Sequence, residues 1–280
     1  MATASTRPDE NRGGDAPSTG APRAAPHGAE AADRGDADDP GRWAVFLDFD
    51  GVIADIAPTP DSVHVPDGRA ETIADLREAT GGALALVSGR EVHDIRRVFP
   101  RYDGAASGGH GAETQWPDGT VERREMDEGA VEAIQAELRA IADTREALLY
   151  EPKRLGGVVH YRADPSLEAD VRAAVSKLLE GRDDLELQPA KMAFEVKPAG
   201  FSKGSVIEGF MARAPFRGRT PFFAGDDVTD EAAFRVVNAM GGVSVKVGEG
   251  DTAARKRVEG PDMLFAWLRE RLRARGYVSD

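Results

Sequence analysis

Apolar runs and amphipathic stretches alternate along this chain. The run at 44–47 (AVFL) predicts a buried parallel strand, and residues 83–88 (ALALVS) predict a second one. Between them, residues 68–79 carry apolar side chains at helical spacing, and a third apolar run at 220–225 is followed by another helical segment. This alternation of strands and helices favours an α/β fold built on a parallel sheet.

The middle of the chain, residues 126–198, has a different pattern. A helix at about 127–145 and another at about 166–180 are each followed by two strand-like segments, which gives the order αββαββ. The sequence therefore predicts that a core domain, 41–125 and 199–280, is interrupted by an inserted α+β cap domain that could lie over the site as a lid.

Composition narrows the class of protein. With 280 residues, 41% hydrophobic and 30% charged, the chain is long enough for one large or two modest domains. Its formal net charge of −13 disfavours a general binder of nucleic acid or anionic membrane, because the field of the protein would repel both. The absence of cysteine excludes disulfides, thiolate metal sites and a cysteine nucleophile. Any metal site must then use oxygen ligands or the five histidines.

The N-terminal region shows neither a secretory signal nor an ordered core. No apolar run approaches the length of a membrane span, so the expected location is the cytoplasm. Residues 1–40 are rich in Ala, Gly, Pro, Asp and Arg and lack aromatic side chains, and they are expected to form a disordered tail. A docking or targeting arm is the alternative for this tail.

Acidic residues directly follow the first and third predicted strands. Asp48 and Asp50 come after the first strand, and Asp226, Asp227 and Asp230 come after the third. Because ligands of an open α/β sheet bind at the carboxyl edge of its strands, these carboxylates are expected to meet there. Crowded carboxylates need a cation between them, and oxygen ligands favour Mg²⁺. The alternatives are an Asp-Gly turn after the first strand and a solvated acidic face after the third.

Three further polar groups suit a phosphoryl ligand. Ser88 and the amides after it can donate hydrogen bonds to a phosphoryl oxygen, or Ser88 can cap the helix that starts near Glu91. His110 lies among four glycines, where it contacts a ligand or has a structural role. Lys203 lies in the first turn of a helix, where a cation opposes the helix dipole and needs an anionic partner unless it is solvated.

Together these segments resemble the four motifs of the haloacid-dehalogenase (HAD) phosphatase superfamily, in that superfamily's order, across nearly all of residues 44–260. The resemblance implies a Rossmann-like HAD core with a parallel sheet, in which Asp48 attacks phosphorus and Asp50 is the general acid/base. Ser88 and Lys203 would bind the phosphoryl group and stabilise its charge. The motifs are Asp48-Phe49-Asp50-Gly51, Ser88-Gly89-Arg90, Lys203, and Gly225-Asp226-Asp227 through Asp230.

The resemblance narrows to the trehalose-6-phosphate phosphatases, whose αββαββ cap lies between the second and third motifs. Val52 is a departure, since many relatives have Thr there, but that side chain is not a catalytic group. The stretches that carry the resemblance are LVSGR (86–90), GGHGAE (108–113), EPKRLGGVVHYR (151–162), FEVKPAGFSKG (194–204) and GDDVTDEAAF (225–234).

That family implies Mg²⁺-dependent hydrolysis of trehalose 6-phosphate to trehalose and phosphate through an aspartyl-phosphate, the last step of trehalose biosynthesis. The implied metal ligands are the Asp48 carboxylate, the Asp50 main-chain carbonyl and Asp226, with Asp227 as an indirect or alternative ligand. Asp230 is expected in a supporting role, orienting Lys203 or a metal-bound water.

Substrate residues are expected at the phosphate site and on the cap, because sugar hydroxyls need both donors and acceptors. Lys191 and Glu195 are the favoured cap residues, and for the other three cap positions a solvated strand face is the alternative. The full expected set is Ser88, Gly89, Arg90, His110, Lys153, His160, Arg162, Lys191 and Glu195.

Other functions stay open from the sequence. They are a phosphatase for sucrose phosphate or mannosylglycerate phosphate, a phosphomutase, and a non-catalytic sugar-phosphate sensor. A sensor is disfavoured because it would need no acid/base pair. The expected partner is a small sugar phosphate, with neither nucleic acid nor membrane, and the oligomeric state is open, a monomer included.

Overall fold

The computed structural model describes residues 38–56 and 63–279. The predicted disordered tail lies outside the described residues, apart from its last positions, 38–40. There Asp39 caps a short 3-10 helix, Pro40–Arg42, by accepting a hydrogen bond from the amide of Gly41 at 3.0 Å. All of the described residues belong to one compact unit.

Helices and strands alternate through the described residues as the hydrophobic pattern predicts. No helix in these two ranges is long and apolar enough to cross a membrane. The helices are α1 (Asp67–Ala79), α2 (Val92–Val98), α3 (Glu128–Ala142), α4 (Glu168–Leu178), α5 (Lys203–Met211), α6 (Glu231–Ala239) and α7 (Pro261–Ala274). The strands are β1 (Trp43–Leu47), β2 (Leu84–Val87), β3 (Ala105–Gly108), β4 (Glu113–Gln115), β5 (Val121–Arg123), β6 (Leu149–Lys153), β7 (Gly156–His160), β8 (Leu185–Ala190), β9 (Ala193–Pro198), β10 (Thr220–Gly225), β11 (Val243–Val247) and β12 (Lys256–Val258).

Eight of the strands form one sheet, in the order β12-β11-β10-β1-β2-β3-β4-β5. The strands from β12 to β3 are parallel, and β4 and β5 add an antiparallel edge. In register, Val45 of β1 lies between Phe222 of β10 and Leu84 of β2. The predicted parallel α/β core is confirmed, and the carboxyl ends of β1, β2 and β10 meet at one edge.

Strand β1 is buried on both faces because helices cover both sides of the sheet. Trp43, Val45 and Leu47 pack into an apolar cluster with residues of α1 and α7, whereas Ala44 and Phe46 pack into another with residues of α5 and α6. Successive strand side chains point to opposite faces, so burial on both sides requires an unbroken apolar run. This packing determines where the residues after Leu47 lie.

The other four strands form a separate antiparallel sheet, in the order β6-β7-β9-β8, inside the region predicted to be a cap. Its helices α3 and α4 cover one face, where Leu138 and Val175 pack in the same cluster as Phe194 of β9. Because strand side chains alternate, the neighbouring Glu195 points to the opposite face. The αββαββ order agrees with the sequence pattern, and the domain boundaries at 126 and 198 stay a prediction.

Strand β12 has no counterpart in the sequence-based assignment. Two of its three residues are exposed and basic, so no apolar run marks the segment. The strand exists because its main chain pairs in parallel with the edge of β11. A hairpin with its turn at residues 117–119 joins β4 and β5, and Gly119 has a φ of 84°, which glycine adopts readily.

Candidate active site

Groups from distant parts of the chain meet at the carboxyl edge of the large sheet. Asp48 follows β1, Ser88 follows β2, Asp226 follows β10, and Lys203 is the first residue of α5. The amide of Asp48 donates to the carbonyl of Ala224 in β10 at 3.0 Å, which continues the parallel pairing into the site. The convergence expected from the sequence is therefore present.

Lys203 is the cationic centre of this site. Its ammonium nitrogen lies 2.7 Å from Oδ1 of Asp48 and 2.6 Å from Oδ1 of Asp230, and all three side chains are buried. Ser202 caps α5 by accepting the amide of Ser205 at 3.2 Å, which sets where the helix begins. The anionic partner that a lysine in the first helical turn needs is thus a pair of carboxylates.

Burial and like charges control the ionisation of the cluster. Burial raises the pKa of Asp48 well above its usual range, the Asp230 carboxylate raises it further, and Lys203 offsets part of the rise. Burial alone would lower the pKa of Lys203, but Asp230 and Asp48 raise it overall, so the ammonium stays charged. Burial, followed by the charge of Asp230, raises the pKa of Asp226 to about 7. The single positive charge of Lys203 does not neutralise the three carboxyl groups of this cluster.

The carboxylates of Asp48, Asp226 and Asp230 offer oxygen atoms that lie within 4.8 Å of one another. Asp230 already uses Oδ1 on Lys203 and Oδ2 on the amides of Asp226 and Asp227, both at 2.9 Å. Asp48 and Asp226 are therefore better placed than Asp230 to hold a cation. The excess negative charge and the all-oxygen donor set fit a hard divalent metal ion.

Gly51 makes room for the Asp226 carboxylate. Its φ of 74° lies in the left-handed region, which follows from the sharp turn of the chain after Asp50. A Cβ atom at this position would lie 2.1 Å from Oδ2 of Asp226. Any other residue at position 51 would force that carboxylate to shift, so the glycine of the first motif leaves room for the acidic cluster.

Asp227 is not part of this cluster of three carboxylates, and its role as an indirect or alternative metal ligand stays a prediction. Its Oδ1 accepts the amide of Val228 at 2.7 Å, and its side chain caps the 3-10 turn Val228–Asp230. Burial and Asp230 raise the pKa of Asp226 most, Lys203 opposes them, and the charge of the Asp227 side chain nevertheless adds a smaller rise. Asp230 joins the acidic cluster and also orients Lys203, as the supporting role expected for it requires.

Asp50 and Arg90 form a second charged pair. Nε of Arg90 donates to Oδ2 of Asp50 at 2.6 Å, and Nη2 donates to Oδ1 at 2.7 Å, so the contact is a two-bond fork. The guanidinium also lies 5.6 Å from the centre of the Phe49 ring. The sequence places Arg90 among the substrate ligands. The loop after β2 lies beside the loop after β1 and brings the guanidinium to Asp50, and the role of Arg90 as a substrate ligand stays a prediction.

The Ser88 side chain forms a hydrogen bond within its own loop and does not cap α2. Its Oγ accepts the amide of Arg90 at 3.1 Å, and the N-cap of α2 is Glu91. Gly89 lies against His110, since a Cβ at position 89 would be 2.6 Å from Nε2 of the imidazole. The amide of His110 donates to the carbonyl of Ser88 at 3.0 Å. Ser88, Gly89 and His110 are therefore neighbours, as a shared phosphate site requires.

Glu195 of the antiparallel sheet reaches the large sheet at His110. Its Oε2 lies 3.1 Å from Nε2 of His110, and both side chains are buried. Burial would raise the pKa of Glu195, but His110 and then Lys153 lower it overall. Two predicted substrate residues from different parts of the chain are thus brought into contact.

Glu151 of β6 binds two more of the predicted substrate residues. Its Oε1 lies 2.5 Å from Nζ of Lys153, and its Oε2 lies 2.8 Å from Nε2 of His160. The hydrogen bond from His160 lowers the pKa of Glu151 to about 2, against an opposing effect of burial. The sequence analysis did not select Glu151, although it opens the EPKR stretch that carries part of the family resemblance.

A cleft of about 450 Å³ opens beside the acidic cluster. Gly51 and Asp226 line it on one side, and Lys191, from the turn between β8 and β9, lines it on the other. Arg162 follows β7, is exposed, and is not among the residues that line this cleft. The structure therefore brings Lys191 to the site and leaves Arg162 outside it.

Lys246 is a residue of this site that the sequence analysis missed. It lies in β11, its side chain is only 4% exposed, and its Nζ donates to the main-chain carbonyl of Asp226. A lysine is almost never fully buried without a partner. A charged residue inside the apolar GGVSVKVG run is the signal that could have identified it.

Replacing Glu151 with glutamine is expected to destabilise the protein at pH 7 and much less in acid. The pKa of about 2 in the folded protein lies below the ordinary value of 4.5, so this carboxylate stabilises the fold above pH 4.5 and loses that effect as the pH falls toward 2. Because the side chain is 39% exposed, we expect a loss of no more than about 1 kcal/mol.

Urea unfolding of both proteins at pH 7 and near pH 2.5 measures the effect of Glu151→Gln. Glu168→Gln is the matched control, because Glu168 contacts Arg172 only at 3.4 Å on an exposed helix surface. The same difference between wild type and Glu151→Gln at both pH values would contradict the prediction.

Comparison with solved structures identifies the class of fold. The C-terminal domain of the trehalose-6-phosphate phosphatase from C. albicans superposes with a TM-score of 0.72 at 18% identity, covering 82% of this chain and 92% of that one. A haloacid dehalogenase-like hydrolase from B. subtilis gives a TM-score of 0.56 at 16% identity, covering 81% of this chain and 99% of that one. The parallel sheet, the inserted antiparallel sheet and the acidic edge thus define a protein of the HAD-like fold.

Sequence comparison identifies the family. The trehalose-phosphatase family model matches residues 46–262, from β1 to the first turn of α7. Trehalose-6-phosphate phosphatase of Escherichia coli strain K12 is 37% identical over 227 residues, covering 81% of this chain and 85% of that relative. The chain belongs to the trehalose-phosphatase family, and it is therefore a phosphatase that hydrolyses a phosphate monoester.

Proposed function

We propose that this protein hydrolyses trehalose 6-phosphate to trehalose and inorganic phosphate, as the last step of trehalose biosynthesis. The observation that carries the proposal is the pairing of Asp48 with Lys203, beside Asp226, at the carboxyl edge of the sheet in a chain of this family. Phosphoryl transfer needs a nucleophile, neutralisation of the phosphoryl charge and a proton for the departing oxygen. The site has a residue for each task.

Asp48 is assigned as the nucleophile. Burial of β1 holds its main chain, and Lys203 holds its Oδ1 at 2.7 Å, which leaves Oδ2 to attack phosphorus. An electron pair of that oxygen forms the new bond to phosphorus, and the bond from phosphorus to the sugar oxygen breaks. The charged ammonium of Lys203 stays beside the reacting centre and stabilises the negative charge there.

Asp50 is assigned the proton transfers. It would give a proton to the departing sugar oxygen and later take one from the water that hydrolyses the aspartyl-phosphate. Its side chain is 41% exposed, whereas that of Asp48 is buried. Two carboxylates two residues apart thus lie in different surroundings, which suits different roles.

Asp48, Asp226 and the main-chain carbonyl of Asp50 are the groups assigned to hold Mg²⁺. When bound, the ion supplies positive charge that neutralises the phosphoryl oxygens. Asp230 is assigned to keep Lys203 and the amides of the Asp226 loop in place, since its two oxygens accept hydrogen bonds from them. Lys246 supports the same loop from the other side.

Selection of the sugar is assigned to the predicted cap, residues 126–198. Glu195 and Lys153 lie near His110, and Lys191 lines the cleft beside Asp226. A disaccharide can pair with donors and acceptors of this kind, while a monosaccharide phosphate would leave some of them unpaired. Because Glu195 contacts His110 directly, the cap must part from the core to admit a disaccharide, and we assign it the role of a lid.

Phosphate release from trehalose 6-phosphate, glucose 6-phosphate and sucrose 6-phosphate tests this function. We expect kcat/KM for trehalose 6-phosphate to exceed the others by at least about 100-fold, because unpaired polar groups penalise the wrong sugar. Removal of divalent metal with EDTA is expected to lower kcat by at least about 100-fold, and added Mg²⁺ is expected to restore it.

The other outcomes of this experiment separate the alternatives. Equal release from all three sugars would contradict the choice of trehalose and leave a phosphatase. Transfer of the phosphoryl group between sugar hydroxyls without phosphate release would indicate a phosphomutase. Activity that is unchanged after EDTA treatment would contradict the metal assignment.

A further inference from the structure

Arg90 binds both oxygens of the Asp50 carboxylate, through Nε at 2.6 Å and Nη2 at 2.7 Å. A planar fork of this kind determines the direction of the carboxylate as well as its position, which a single contact to a lysine cannot do. The direction matters here because the Asp50 side chain lies in the loop after β1 and is 41% exposed, so the fork to Arg90 is the contact that orients it.

Arg90 is itself held in place on several sides. Its amide donates to Oγ of Ser88 at 3.1 Å, and its carbonyl accepts the amide of Gly109 at 2.9 Å. Its guanidinium is only 16% exposed and lies over the Phe49 ring. Exposed ion pairs contribute about 0–1 kcal/mol to stability. An ion pair of this strength does not explain why Arg90 is held by so many contacts. A need to orient the Asp50 carboxylate explains them better.

We propose that Arg90 is a positioning residue that directs Asp50 for the second half of the reaction, the hydrolysis of the aspartyl-phosphate. The inference rests on the proposed function. In this half, the oxygen of a water molecule forms a bond to phosphorus, and the bond from phosphorus to Asp48 breaks and returns its electron pair to that carboxylate. Asp50 takes one proton of the water, and inorganic phosphate leaves.

The hydrogen bonds of the fork explain why the second half depends on it more than the first. Both oxygens of Asp50 accept a bond from Arg90, so the fork is complete only while Asp50 carries no proton, which is its state when the attacking water arrives. In the first half Asp50 must bring a proton, and a protonated oxygen accepts a hydrogen bond from an arginine only weakly. Loss of Arg90 should therefore slow release of phosphate more than formation of the phosphoenzyme.

Arg90→Met is compared with wild type on p-nitrophenyl phosphate in rapid-mixing experiments and on trehalose 6-phosphate in the steady state. Misdirection of a catalytic group is expected to lower kcat by about 30-fold. The ratio kcat/KM reports only on steps up to the first irreversible one, so it should fall by less than about 5-fold. A burst of p-nitrophenol close to one per active site is expected, because the phosphoenzyme accumulates.

Two further variants separate the loss of the Arg90–Asp50 fork from the loss of positive charge at position 90 and from a general effect on folding. Arg90→Lys keeps the cation but cannot form the fork, and its kcat is expected to lie between those of wild type and Arg90→Met. Arg96→Met is the matched control, because Arg96, in the following helix α2, is another half-buried arginine and donates to the main-chain carbonyls of Tyr102 and Gly104. Arg96→Met is expected to show no burst.

Equal losses of kcat and kcat/KM in Arg90→Met, without a burst, would overturn the proposal, and so would a lysine variant as fast as wild type. Thermal unfolding shows whether each variant is folded, and Arg90→Lys keeps the test decisive if Arg90→Met is not. Failure of wild type to release phosphate from trehalose 6-phosphate would instead count against the proposed function, while p-nitrophenyl phosphate would still report on Arg90.

Discussion

Asp48→Asn is expected to lower kcat for phosphate release by at least about 10⁴-fold, the size of loss that follows removal of a nucleophile. Asparagine preserves the shape of the side chain and can still accept a hydrogen bond from Lys203, which lies 2.7 Å from Oδ1 of Asp48. Its amide does not attack phosphorus, so no aspartyl-phosphate forms. Single-turnover phosphate release measures the loss directly, and a variant that keeps a tenth of the wild-type rate would contradict the assignment.

The same variant is expected to be more stable than wild type when divalent metal is removed. The pKa of Asp48 is raised in the folded protein, so its ionised form opposes folding as the pH rises above the ordinary value of 3.8. Asparagine removes that charge from the crowded cluster. Each kcal/mol gained should raise Tm by about 2–4 °C in a protein of this size.

Differential scanning calorimetry at pH 7 in EDTA measures the change in Tm for Asp48→Asn. Asp50→Asn is the matched control, because it removes a charge two residues away that is already paired with Arg90. We expect no gain in Tm for Asp50→Asn. A lower Tm for Asp48→Asn than for wild type in EDTA would show that the acidic cluster is not strained by its own charge.

Lys203→Met is expected to reduce both stability and activity. The substitution leaves Asp48 and Asp230 in a buried cluster without their common cation. Removing one partner of a buried ion pair costs about 3–5 kcal/mol, because the other charge stays buried and unpaired. Loss of a fixed positive charge at the reacting centre should lower kcat by about 10³-fold. Urea unfolding and phosphate release measure the two effects separately.

A double variant separates the two roles of Lys203. Lys203→Met with Asp230→Asn also removes one of the stranded carboxylates, so it should regain part of the stability but none of the activity. Lys256→Met is the surface control, because the exposed Lys256 lies 3.7 Å from Asp38 and should change stability by less than about 0.5 kcal/mol. A double variant that is less stable than Lys203→Met would contradict the electrostatic explanation.

Much of the secondary structure could be predicted because burial leaves a local pattern in the chain. The helix expected at 68–79 is Asp67–Ala79, and the strand expected at 83–88 is Leu84–Val87. Both face a core that demands apolar side chains at a regular period. Strand β12 escaped prediction because only one of its three residues, Val258, is apolar, and pairing of its main chain with β11 imposes no side-chain pattern.

The residue types of the candidate site could also be predicted, but their partners could not. Strand ends of a parallel sheet share one edge, so Asp48, Ser88 and Asp226 were recognisable from their places in the chain. Nothing local shows that Arg90 forms a fork with Asp50, or that the Asp227 side chain accepts the amide of Val228. Those outcomes depend on loop dihedral angles and on which loops become neighbours.

The sequence by itself determined which segments are buried as strands and helices, and which polar residues come after the strands. It could do so because apolar periodicity and chain order are local properties. Only the tertiary structure decided that Glu195 meets His110, that Lys246 supports the Asp226 loop, and that Lys203 lies between Asp48 and Asp230. These contacts join segments far apart in the chain, and their geometry follows from packing of the whole fold.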